Sequence, residues 1–201
     1  YNPIYVEVDL DQFKRNVSEI RKYIGNKKIC LSIKANAYGH GIYGIAKEAE
    51  SEKIDYLAVA RVDEAVILRE KNINAPILLL SPFLKEEIPA IINYKIEPTI
   101  GSKKQLEDLV SYLSKRNKRS RVHVKVDTGM TRGGAGITEA KEICSFLLKN
   151  NHIDLISVYS HFVSGEKKEL ELNVKQGALF ESLFLSLKKT KSCQPLPPYR
   201  Q

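Results

Sequence analysis

With 201 residues, 43% of them hydrophobic and 28% charged, the chain has the composition of a soluble globular protein and length enough for one domain with a sizeable core. Its net charge of +8 is spread over scattered lysines, and the densest cluster, Lys115-Arg116-Asn117-Lys118-Arg119, reads as a solvated helix end rather than the basic stripe of a nucleic-acid binder. No apolar run is long enough to span a bilayer and no signal peptide is visible. Cys30, Cys144 and Cys193 are widely spaced and odd in number, which suits reduced thiols better than a disulfide framework or a zinc site. The expectation is a cytoplasmic protein with no metal, no membrane and no nucleic acid.

The predicted elements alternate. Ile4 to Val8 reads as a strand, and Leu10 to Ile24 as a helix with Phe13, Val17, Ile20 and Ile24 at helical spacing, stopped by Gly25-Asn26. A short strand from Ile29 runs into Lys34, and Ile42 to Glu50 reads as a helix. Tyr56 to Ala60 is a strand, Val62 to Glu70 a helix, and Ile77 to Leu80 a continuous apolar run of the kind covered on both faces. Lys85 to Asn93 is a short helix and Ile96 to Ile100 a strand. A helix through Leu106, Leu109, Val110 and Leu113 follows, then a strand from Val122 to Val126, a helix from Thr138 to Leu148, a strand from Leu155 to Tyr159 and a helix from Leu170 to Leu187. Such alternation argues for parallel strands joined by crossover helices. Pattern alone leaves an open doubly wound sheet and a (β/α)8 barrel side by side, although no G-x-G-x-x-G follows the first strands to favour dinucleotide binding. Residues 191–201 are proline-rich and read as an irregular tail after a domain spanning 1–190.

Three stretches carry chemistry. The first is Lys34-Ala35-Asn36-Ala37-Tyr38-Gly39-His40-Gly41, a lone ammonium at the end of an apolar strand followed by a glycine-rich turn. An unpaired buried amine is costly, so Lys34 either snorkels into water or serves as an amine nucleophile toward an aldehyde. His40 reads as a helix-start residue. The second is His123-Val124-Lys125-Val126-Asp127-Thr128-Gly129-Met130-Thr131-Arg132, in which His123, Lys125 and Asp127 share one strand face. Lys125 and Asp127 could belong to an internal ion-pair network, and Met130 could be core filler. The third is Ser157-Val158-Tyr159-Ser160-His161-Phe162, with His161 at the C-terminal end of its strand, where a lone histidine is more often a hydrogen-bonded structural residue than a functional one. Tyr38 could be an ordinary half-buried tyrosine.

Taken together, the Lys-Ala-Asn-Ala-Tyr-Gly-His-Gly run, the Lys-x-Asp-Thr-Gly-Met-x-Arg run and the Ser-His-Phe resemble, in order, the motifs of the alanine racemases. The family usually continues its arginine with an apolar residue and glycine, whereas this chain reads Arg132-Gly133-Gly134. The resemblance implies a (β/α)8 barrel, incomplete at the C-terminal end, because six strands are counted where a closed barrel has eight. It implies pyridoxal phosphate as cofactor and interconversion of L- and D-alanine for peptidoglycan synthesis as the activity. Lys34 would hold the cofactor covalently and serve as a catalytic base, with Tyr38 on its phosphate and His161 against its ring. Arg132 would lie near the cofactor and bind the substrate carboxylate, beside Met130. Lys125 matches a lysine that is carbamylated in some members and helps place the arginine. Full-length members are homodimers, and their second base, a tyrosine, comes from a C-terminal domain of the partner. The chain is therefore expected to be a fragment of such an enzyme. The rivals are a non-catalytic single-domain pyridoxal-phosphate binder and a remnant with no function of its own.

Overall fold

The computed structural model describes residues 5–164 and 170–189; these fall into two compact units, residues 5–81 with 93–96, and residues 82–92 with the described residues from 97 onward. In the first unit, β1 (Cys30–Ser32), β2 (Tyr56–Val59) and β3 (Ile77–Leu79) form a parallel sheet in that order, with Ser32 opposite Ala58 and Val59 opposite Leu79. Helix α1 (Leu10–Ile24) opens the unit; Asp9 caps it by accepting the N–H of Gln12 at 2.8 Å, and Gly25 ends it. A one-turn element, α2 (Lys34–Tyr38), follows β1, and α3 (Ile42–Ser51) and α4 (Val62–Glu70) complete the unit. Its core is Ile33, Ala46, Ala49, Leu57, Val59, Ala65, Leu68 and Ile77, all fully buried. Every residue of β2 and β3 is buried, as the continuous apolar run at 77–80 predicts for strands covered on both faces.

In the second unit, α5 (Ile88–Asn93, preceded by a 3₁₀ turn) leads to β4 (Glu97–Ile100), α6 (Lys103–Arg116), β5 (Ser120–Lys125), α7 (Ile137–Leu147), β6 (Ile153–Tyr159) and α8 (Leu170–Lys189). β4, β5 and β6 pair in parallel, with a register shift at Val122/His123. Ser102 caps α6 by accepting the N–H of Gln105, and Asn117 ends it in the left-handed region that this residue tolerates. Val122, Val124 and Val126 are buried, together with Leu109, Leu113, Ile143 and Leu147, so the valine face of β5 packs as its alternation predicts. The Lys115–Arg119 cluster is a solvated helix end: Arg116 stacks on the Tyr112 ring at 4.0 Å and Arg119 pairs with Asp154 at 2.6 Å.

Two expectations fail. The N-terminal strand is absent over residues 5–8, and Tyr5 and Val6 are largely exposed; a strand gains its stability from ladder partners and a covered face, and these residues have neither among the described ones. Ile4 and the tail at 191–201 lie outside the described residues. Second, His40 does not start a helix. It sits in the bend before α3, whose first residue is Ile42.

Candidate functional site

In the first unit the site is built where β1 ends. Ile33 is fully buried and its N–H extends the ladder to the carbonyl of Ala58 at 2.8 Å, so the strand delivers Lys34, half-buried, at its C-terminal tip. The chain then turns the unusual way. Ala35, Asn36, Ala37 and Tyr38 have φ of 51°, 55°, 54° and 54°, a left-handed helical turn made without a single glycine. For L-residues each such conformation costs roughly 1–2 kcal/mol, so the turn stores several kcal/mol that its surroundings must offset.

The offsetting bonds are specific. The Ala37 N–H donates to Ile33 O at 2.9 Å, and the Gly41 N–H to Asn36 O at 3.0 Å. The Asn36 side chain accepts the N–H of Ile42 at 2.8 Å. His40 Nδ1 lies 2.8 Å from the Ala37 carbonyl, which can only accept, so Nδ1 carries the proton. Glu64 Oε1 accepts the N–H of Ala35 at 2.6 Å. The turn sets Tyr38 beside the lysine four residues back: Lys34 Nζ is 5.9 Å from the Tyr38 ring centre, in cation–π range. The Tyr38 hydroxyl is 3.1 Å from Ser32 Oγ.

In the second unit the loop after β5 is wound tightly around Asp127. Its Oδ1 accepts the N–H groups of Gly129 at 2.9 Å and Thr131 at 3.0 Å; these two bonds hold the carboxyl below its ordinary range. Lys125 Nζ donates to the Arg132 carbonyl at 2.9 Å, so both side chains hold the loop, and the lysine's charge adds to the lowering of the Asp127 carboxyl. The chain then returns against β5, where Ala135 N–H bonds Lys125 O and Asp127 N–H bonds Ala135 O, both at 2.9 Å. Gly134 permits this: its φ is 106° and a Cβ there would meet Asp127 N at 3.1 Å. Arg132 is exposed and Met130 half-buried.

The loop after β6, which carries the exposed His161, is bound to the same region. Ser160 Oγ donates to Val126 O and lies 2.8 Å from Thr128 Oγ1. Gln176, in α8 and only 1% exposed, joins them: its Nε2 donates to Thr128 Oγ1 and His161 O, and its Oε1 accepts the Val163 N–H. The structure thus brings Lys34 together with Tyr38 in one unit, and in the other joins Lys125, at the end of β5, to two linked loops that carry Met130, Arg132 and His161.

Sequence reading missed Glu64, Gln176 and the left-handed turn. It also left His123 without a partner: buried, it bonds Glu97 Oε2 at 2.9 Å and Ser157 Oγ at 2.6 Å, while Arg121 pairs with the same carboxylate at 2.6 Å. Three polar residues at inward positions of neighbouring strands were the available signal. No helix among the described residues is long and apolar enough to cross a membrane, and no group of three or more potential ligands that could hold a metal occurs among them.

A family model for the alanine racemase N-terminal domain matches residues 8–197. Over 186 residues the chain is 39% identical to the alanine racemase of Treponema denticola, an alignment covering 90% of this chain and 49% of that protein. The alanine racemase structure from Clostridium difficile 630 matches with a TM-score of 0.86 at 34% identity, covering 94% of this chain and 51% of that one. The Bacillus anthracis alanine racemase with bound L-Ala-P matches with a TM-score of 0.83 at 31% identity, covering 94% and 50%. The chain spans about half the length of the relatives it matches. The expected fold class, an α/β barrel of which the described residues carry six strands, is borne out.

Proposed function

Because the chain belongs to the alanine racemase N-terminal-domain family, we propose that it forms the pyridoxal-phosphate-binding part of a cytoplasmic, homodimeric enzyme that interconverts L-alanine and D-alanine. The observation that carries this reading is the setting of Lys34, a half-buried amine at a strand tip on a strained turn with Tyr38 alongside. Strained backbone of this kind clusters at functional sites.

The residues suit the cofactor by their chemistry. The Lys34 amine matches an aldehyde, the Tyr38 hydroxyl a phosphate, and the Arg132 fork a carboxylate. By resemblance, His161 would lie against the cofactor ring, with Arg132 near it and Met130 beside the substrate. When bound, pyridoxal phosphate supplies the electron sink that makes the Cα proton of an amino acid removable. Lys34 Nζ would hold and return that proton on one face of Cα. The opposite face needs a second group, which the resemblance assigns to a tyrosine of the partner subunit's C-terminal domain. Lys125 fixes Arg132 through its backbone carbonyl, so the guanidinium is free to turn toward a carboxylate; carbamylation of Lys125 would turn the ammonium into an anionic carbamate that keeps one N–H, leaving a weaker, neutral donor for that carbonyl.

The test is borohydride reduction of the chain mixed with pyridoxal phosphate, followed by peptide mass mapping. A phosphopyridoxyl adduct confined to Lys34 is expected; adducts scattered over many lysines, or none, would overturn the reading. Turnover of L-alanine then separates it from a non-catalytic pyridoxal-phosphate binder.

A further inference from the structure

We propose that Glu64 is a positioning residue for Lys34: its carboxylate holds the left-handed turn that follows the lysine and thereby sets the direction in which the amine leaves β1. This rests on the cofactor reading given above. Glu64 lies in the first turn of α4 and gathers three backbone donors. Oε1 accepts the N–H of Ala35 at 2.6 Å, and Oε2 accepts those of Ala60 at 2.9 Å and Arg61 at 3.1 Å. One side chain thus ties the first strained residue, Ala35, to the loop that leaves β2, the strand paired with β1.

Asn36 and His40 close the turn upon itself, whereas Glu64 reaches it from another element. Bonds from N–H groups to an ionised carboxylate are about twice as strong as neutral ones, which suits a device that must oppose the left-handed cost. Were Ala35 to relax into the right-handed region, the chain after Lys34 would wind the other way and carry Tyr38 from its place beside Nζ and Ser32.

The experiment compares the wild-type chain with Glu64→Ala, Glu64→Gln and the double variant Glu64→Ala/Ala35→Gly. Two quantities are read: amide exchange of residues 35–41 without pyridoxal phosphate, and the pyridoxal phosphate concentration that gives half-maximal borohydride-trapped adduct at Lys34. Loss of the carboxylate should speed exchange in this segment, and raise the half-saturating concentration, by about tenfold or more. Glutamine keeps one accepting oxygen and should fall between. Glycine at position 35 adopts the left-handed region without the Cβ penalty, so the double variant should recover much of both losses. A carboxylate that merely secured the β2–α4 loop would show no such rescue.

Unchanged exchange in Glu64→Ala, or no recovery with Ala35→Gly, overturns the proposal. Protection of the β5 amides shows that a variant is folded, and if Glu64→Ala loses it, Glu64→Gln carries the comparison. Absence of a Lys34 adduct in the wild-type chain would overturn the cofactor reading instead, while the exchange measurements would still decide whether Glu64 holds the turn.

Discussion

Replacing Gln176 by leucine removes the amide that joins α8 to both loops of the second unit. Three hydrogen bonds disappear, to Thr128 Oγ1 at 3.2 Å, to His161 O at 3.1 Å and from Val163 N–H at 3.0 Å. At about 1 kcal/mol net for each, the ceiling is about 3 kcal/mol. Two partners lie in exposed residues, where water can take over, and Thr128 keeps its contact with Ser160. Leucine is close to glutamine in volume and leaves little cavity. The expected loss is therefore about 2 kcal/mol, which at a urea m-value of about 2–3 kcal/mol/M lowers the midpoint by roughly 0.8 M. Urea unfolding followed by circular dichroism gives the midpoint, and amide exchange at Val163 gives the local effect, an acceleration by about one order of magnitude. A midpoint within about 0.2 M of wild type together with unchanged Val163 exchange would refute the view that this amide binds the loops, since even a single lost bond should exceed that change.

The Asp127 carboxyl has its pKa depressed by the N–H groups of Gly129 and Thr131, so its stabilising effect is full above the unfolded value and fades as pH falls through the lower folded one. The stability difference between wild type and Asp127→Ala should accordingly be flat from about pH 5 to pH 8 and shrink below about pH 4; a difference that grows on acidification would contradict this. Cys30 is solvent-accessible, yet desolvation pushes its thiol up to about 11. Peptide-resolved alkylation by iodoacetamide at pH 8 should be slower at Cys30 than at a free cysteine by about two orders of magnitude, and labelling at the free-cysteine rate would rule that out. Cys144, fully buried, should stay unlabelled until the chain unfolds.

What could be read in advance divides along a physical line. Helix α1 was legible to the residue, because the apolar spacing and Gly25 are local signals that agree. The buried strands at 56–59 and 77–79 announced themselves as apolar runs. Lys34 stood out because an ammonium at the end of an apolar strand conflicts with its neighbours, whereas Arg132 and His161 were singled out by the resemblance of their motifs. Glu64 and Gln176 carry no such mark. Each sits in a helix where glutamate and glutamine are ordinary surface residues, and what sets them apart is a set of partners 13 to 48 positions away in the case of Gln176 and 29 away in that of Glu64's Ala35.

The left-handed turn lies furthest from local prediction. Of Ala35, Asn36, Ala37 and Tyr38, only asparagine tolerates positive φ readily, so local preference argues against the conformation that all four adopt. The glycines at 39 and 41, with φ of 90° and 89°, signal a bend but not its handedness upstream. Bonds from Asn36 and His40 close the turn locally, whereas the bond from Glu64 depends on β2 and α4 being in place. A segment whose local preference opposes its native form is held by the fold and not by itself. It should therefore be among the last parts of the first unit to become ordered in folding, which fits a role in which rigidity matters only once the surrounding strands have formed.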